Sequence, residues 1–106
     1  MQMVFIETPV FTKEMSSLIS DEQYRFLQKE LLFRPDAGNI IPGSRGLRKI
    51  RWNQSGKGKR GGLRIIYYFD KPDRIYMLLP YKKNQQEDLT ARQLKYLVSI
   101  MKEYLE

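Results

Sequence analysis

Leu63-Arg-Ile-Ile-Tyr-Tyr-Phe69, Asp70-Lys-Pro-Asp73 and Ile75-Tyr-Met-Leu-Leu79 follow one another without interruption, and this stretch decides the fold. The first and last segments are rich in β-branched and aromatic residues, which suit a pleated, half-buried surface. The four residues between them have the composition of a tight turn, so the two runs pair antiparallel. Upstream, Leu47 to Trp52 alternates Lys49 and Arg51 with Ile50 and Trp52, as a strand with one wet and one buried face would. Between that strand and Leu63 lies Asn53-Gln-Ser-Gly-Lys-Gly-Lys-Arg-Gly-Gly62, too glycine-rich for regular structure. A three-stranded antiparallel meander with a long basic tip between its first two strands follows.

Helices flank this meander in the sequence. Residues 2–8 alternate weakly as a short strand and end at Thr8-Pro9, where threonine can cap a helix and proline fits its first turn. Phe11, Met15 and Leu18 recur at near-helical spacing, and Ser20-Asp-Glu-Gln23 is a capping box that starts a second helix. Tyr24, Leu27 and Leu31 share one face of that helix, and Pro35 ends it. Residues 34–46 read as a loop punctuated by Pro35, Gly38, Pro42, Gly43 and Gly46. Near the end, Thr90 and Gln93 form another capping box, and Leu94, Leu97, Val98, Met101 and Leu105 define an amphipathic helix. The expected fold class is α+β, with an N-terminal helical hairpin and a C-terminal helix packed on an antiparallel sheet. At 106 residues, 1–106 is expected to form one domain around one core.

Charge is segregated along the chain. The formal net charge is +7, but residues 43–83 hold twelve basic and two acidic side chains, whereas acids are in excess on either side. Such a block attracts polyanions, and nucleic acid is the commonest that a cytosolic domain meets. A surface kept soluble by lysines is the competing reading. No cysteine is present, which removes disulfides, thiolate zinc sites and thiol nucleophiles and fits a reducing compartment. The first residues lack the pattern of a signal peptide, and no apolar run approaches bilayer-spanning length, so a cytoplasmic location without membrane contact is expected.

Gly43 to Arg64 contains eight basic residues and no acid. Its glycines free backbone amides to meet phosphate oxygens, and Lys57, Lys59 and Arg60 supply countercharge, although the lysine spacing is not that of a Walker loop. A hairpin tip of mutually repelling lysines is the alternative. Arg64 begins a rigid strand, which pre-organises its guanidinium to grip a phosphate, unless it simply pairs with an acid such as Asp88. With no histidine and no carboxylate cluster in the block, paired-imidazole and two-metal cleavage are not expected, and neither a metal nor another cofactor is called for. Proton transfer then falls to lysine or tyrosine. Cation crowding disfavours the charged form of a lysine, which suits it to that work. Tyr81, Lys82 and Lys83 are candidates, or else an ordinary solvated strand end. Trp52, Tyr67, Tyr68, Tyr76 and Tyr81 interleave the basic region; aromatics can stack on unpaired bases, but Tyr67, Tyr68 and Tyr76 read better as core.

Along nearly its whole length the chain resembles HigB-like toxins of the RelE superfamily. The resemblance is carried by Gly46-Leu-Arg-Lys-Ile-Arg51, Gly56-Lys-Gly-Lys-Arg-Gly-Gly62, Arg64-Ile-Ile-Tyr-Tyr-Phe69 and Tyr81-Lys-Lys-Asn84 followed by Asp88-Leu89. It departs from the pattern at Gln85, where glutamate is usual, and at Pro80. The resemblance implies a RelE-like fold and a ribosome-dependent endoribonuclease that cuts mRNA in the acceptor site by attack of the ribose 2′-hydroxyl on the adjacent phosphate. It also implies neutralisation by a cognate antitoxin, expected to be a helix-turn-helix DNA-binding protein. The family's strand arginine falls on Arg64, its lysine after the last strand on Lys83, and its preceding basic positions on Lys49 and Arg51. On that footing Arg64 would stabilise the transition-state phosphate, and Lys83 and Lys57 would transfer protons or neutralise charge. Lys49, Arg51, Lys59, Arg60, Lys82 and Tyr81 would contact RNA. A ParE-like gyrase inhibitor with the same fold, or a non-catalytic RNA-binding module, remains the alternative.

Overall fold

In the computed structural model, which describes residues 2–52 and 62–106, the capping signals act where the sequence predicts them. Strand β1 spans Val4–Glu7, and Thr8 caps α1 (Pro9–Leu18), its side-chain oxygen accepting from the Phe11 N–H. Ser20 and Gln23 close a reciprocal capping box on α2 (Asp21–Phe33), and Thr90 and Gln93 do the same for α3 (Ala91–Leu105). Strands β3 (Arg48–Trp52), β4 (Leu63–Asp70) and β5 (Arg74–Lys82) form the antiparallel meander.

The sheet is larger than the meander. Its order is β1-β5-β4-β3-β2, where β2 is Asn39–Ile40, a two-residue strand inside the segment read as loop. Strand β1 pairs with β5 in parallel, so the sheet is mixed rather than purely antiparallel. A parallel edge needs a long crossover, and the chain between Thr8 and Arg74 supplies it. Past Met77 the outer side of β5 has no strand partner among the described residues, and there Pro80 is accommodated without an N–H.

Helices cover both faces. Phe11, Met15, Ile19, Leu27 and Leu31 of α1 and α2 pack on Leu63, Ile65, Tyr67, Ile75 and Met77. On the other face Leu97 and Met101 of α3 pack on Leu47, Ile66, Tyr76, Leu78 and Tyr81. Tyr24 of α2 ties this layer to β1 by donating to Glu7 at 2.6 Å; burial and that carboxylate push its phenol well above the usual range.

One irregularity redirects the end of β5. Tyr67 pairs with Met77 but Ile66 pairs with Leu79, so Leu78 is an extra residue in the ladder. A bulge of this kind reverses the alternation beyond it. Met77 faces α1 and α2, Leu78 and Leu79 both face α3, and Tyr81 follows on the α3 side opposite Arg64. Thr8, 3% exposed, braces the bulge: its hydroxyl donates to the Leu78 carbonyl at 2.8 Å while accepting from Phe11.

Tyr67 is fully buried and fastens the 35–38 segment to the sheet, donating to the Pro35 carbonyl (2.9 Å) and accepting from the Gly38 N–H (2.8 Å). Gly38 is glycine because a Cβ there would stand 2.8 Å from the Tyr67 ring and 3.0 Å from the Lys49 carbonyl. Tyr67→Phe removes a partner from two backbone groups and is expected to lower stability by about 1–3 kcal/mol, read as a lower urea midpoint with an unchanged slope.

Candidate functional site: a cationic cleft beside the C-terminal helix

Beyond the N-terminal end of α3, the α3 face of the sheet is not covered by the helix, and alternation brings cations to it. Lys49 pairs in register with Ile66 and Arg51 with Arg64, so these three basic side chains share a face. With Lys83 they line a cleft of about 420 Å³ whose remaining walls are Ala37, Asn39, Ile50 and Glu87. Lys83 reaches it because the bulge has turned the strand end, and its N–H, donating to the Gly62 carbonyl at 3.2 Å, extends the β4–β5 pairing by one step.

Arg64 is the most deeply placed cation among the described residues, at 7% exposed. Its only side-chain hydrogen bond among the described residues is a long one, 3.4 Å to the Leu63 carbonyl, and none of the carboxylates there forms an ion pair with it. Asp88, weighed above as its partner, instead accepts from Lys49 Nζ at 3.0 Å. That hydrogen bond, with the positive charges of Lys49 and Arg64, holds the Asp88 carboxyl below the usual carboxylate range. Arg48, from the same basic block, serves structure: its guanidinium donates to the Asp36 and Gly38 carbonyls at 3.1 and 2.7 Å.

Tyr81 sits across the strand pair from Arg64, 6% exposed, with its ring in the α3 core cluster. Its hydroxyl has no hydrogen-bond partner among the described residues. Burial, reinforced by the Asp88 charge and opposed by Arg64, pushes the phenol up, which disfavours its ionised form. The hydroxyl is buried along with the ring, so the RNA contact expected of Tyr81 is not visible in this arrangement.

The structure therefore gathers Lys49, Arg51, Arg64 and Lys83 in one cleft, while Tyr81, paired in register with Arg64, is not part of the cleft lining and packs in the α3 core. Lys82 pairs with Leu63, whose side chain belongs to the α1–α2 core, so alternation points Lys82 to that other face. Lys57, Lys59 and Arg60 lie outside the described residues. Asn39 and Glu87 of the cleft were not anticipated. Asn39 comes from the unforeseen β2, whereas Glu87 and Asp88 precede a recognisable cap and could have been placed beside the N-terminus of α3. Among the described residues there is no cluster of three or more His, Cys, Asp or Glu that could hold a metal ion, and no helix long and apolar enough to cross a membrane.

Comparison with known proteins gives this arrangement a context. The free-state E. coli toxin RelE, solved as a variant with two arginines changed to alanine, superposes with a TM-score of 0.59 over 82% of this chain and 90% of that chain. The two are 24% identical, and the likeness is one of fold: an α+β architecture with helices on a mixed sheet. A family model described as the RelE toxin of the RelE / RelB toxin-antitoxin system matches residues 42–106, from just before β3 through the end of α3. Since that segment is more than half of the chain and carries all four cations of the cleft, this protein belongs to the RelE toxin family.

Proposed function

We propose that the protein is the toxin of a type II toxin-antitoxin module and an endoribonuclease that cuts mRNA in the ribosomal acceptor site, thereby inhibiting translation. The observation that supports this best is Arg64, a nearly buried guanidinium without an ion pair among the described residues, at the wall of a cleft with three further cations. Burying an uncompensated cation costs several kcal/mol, an outlay that makes sense where a ligand brings the anion.

The chemistry that fits is transesterification. The ribose 2′-oxygen attacks the adjacent phosphorus and loses its proton to a base, the phosphate oxygens gain charge, and the 5′-oxygen departs with a proton. A 2′,3′-cyclic phosphate and a 5′-hydroxyl result. In this reading Arg64 holds the non-bridging oxygens as charge develops. Lys83, with Lys57, transfers protons or neutralises charge, and Lys49 and Arg51 grip the RNA backbone, joined by Lys59 and Arg60; Lys82, turned to the opposite face, has no part in it. Burial, which raises the Tyr81 phenol, disfavours a role for it as the base. No metal takes part. A cognate antitoxin, as the family's name implies, is the protein partner, and the motifs around Gly46–Arg51 and Tyr81–Asn84 favour the HigB-like branch.

Primer extension on a translated message after brief expression tests the activity. Defined cleavage within the translated region, absent when initiation is blocked, is the expected result, with DNA gyrase activity unaffected. Intact message together with inhibited gyrase would replace this reading with a ParE-like one.

A further inference from the structure

One charged group at the cleft has no part in the cleavage chemistry. Asp88 places a carboxylate oxygen 3.0 Å from Lys49 Nζ, and its charge acts on both Tyr81 and Arg64. To an ammonium, a carboxylate and a phosphodiester offer the same thing, oxygens sharing a negative charge. Asp88 thus makes the kind of contact with Lys49 that an RNA phosphate would make.

The acid is mounted with care but held loosely. Gln86 Nε2 donates to the Asp88 carbonyl at 3.0 Å and to Gln93 Oε1 at 2.8 Å, and Gln93 closes the capping box with Thr90. Asp88 also accepts from the Leu89 N–H at 3.1 Å. The backbone around Asp88 is therefore fixed to the first turn of α3. Its side chain is nevertheless 70% exposed, and an ion pair so open to solvent is readily exchanged for another anion.

We propose that Asp88 is a resident counter-anion for Lys49, which substrate phosphate must displace. Free single-stranded RNA then binds more weakly than the cations of the cleft would allow, and RNA is engaged where further contacts make up the difference. The inference rests on reading the cleft as an RNA site. A competing role, in which Asp88 orients Lys49 toward the substrate, has the opposite sign: loss of a competitor tightens binding, and loss of an orienting partner loosens it.

The test uses the whole protein and a fluorescent 2′-O-methyl single-stranded oligonucleotide, with anisotropy measured across a salt series for wild type, Asp88→Asn, Asp88→Glu, Lys49→Ala and the Lys49→Ala, Asp88→Asn double variant. Asparagine keeps an oxygen for the Leu89 N–H, and thermal unfolding checks that each variant is folded. Asp88→Asn should bind severalfold more tightly at low salt. The slope of log K against log salt should steepen by about 0.7, the value of one further phosphate contact on a single strand. Asp88→Glu should behave as wild type, and in the Lys49→Ala background the Asn change should have no effect. Unchanged or weaker binding by folded Asp88→Asn overturns the proposal, as does tightening that survives Lys49→Ala. Failure of the RNA-cleavage reading would show separately, as a wild-type toxin that leaves translated message intact.

Discussion

Arg64→Ala is expected to slow single-turnover cleavage of ribosome-bound mRNA about a hundred- to a thousand-fold, the usual consequence of removing one donor aimed at developing charge, or about 2.7–4 kcal/mol of transition-state stabilisation. Lys49, Arg51 and Lys83 remain to attract the RNA, so the loss should fall on the chemical step more than on ribosome association. Two features sharpen the expectation. The guanidinium is fixed at the start of β4 with, among the described residues, only the long contact to the Leu63 carbonyl. Its removal also takes an unpaired charge out of a nearly buried position, so the alanine variant should be no less stable than wild type. Arg64→Lys should recover part of the rate, because an ammonium keeps the charge but not the planar fork. Single-turnover cleavage, ribosome co-sedimentation and thermal unfolding for the three proteins separate these effects. An alanine variant that cuts at the wild-type rate would remove Arg64 from the reaction.

Arg64 was legible because the information is local: a lone arginine entering a run of strand-forming residues, at the end of an acid-free basic block. The same holds for the capping boxes at Ser20 and Thr90, in which four consecutive residues contain both halves of the interaction. What the sequence hid depends on partners far along the chain. Nothing near Val4–Glu7 indicates pairing with Arg74–Met77, and Asn39–Ile40 is a strand only because β3 lies beside it. Asp88 was considered for Arg64, yet Arg64 and Lys49 lie on the same face of adjacent strands, and only register decides which of them the acid meets. Likewise Lys82 and Lys83 are indistinguishable as a dipeptide. A residue inserted into the ladder at Leu78 sends one to the cleft and the other to the opposite face.

Thr8→Val tests that last dependence, since it keeps the shape of the side chain while deleting the hydroxyl that serves two elements at once. The α1 N-terminus loses its cap, worth about 0.5–2 kcal/mol. The Leu78 carbonyl loses a buried donor, worth about 0.5–1.5 kcal/mol. At roughly 4–8 °C per kcal/mol for a domain near this size, the melting temperature should fall on the order of 10 °C. A purely structural role would end there. Thr8 lies 70 residues from Leu78 in sequence, however, and it braces the residue whose insertion turns Tyr81 and Lys83 toward Arg64. Measured well below the melting temperature, where the variant is fully folded, cleavage should therefore still be slower than wild type, with the loss in the single-turnover rate rather than in ribosome binding. Thr8→Ser keeps the hydroxyl and should restore both the rate and most of the stability. If folded Thr8→Val cuts as fast as wild type, the bulge holds its register without that hydrogen bond, and Thr8 is a helix cap alone.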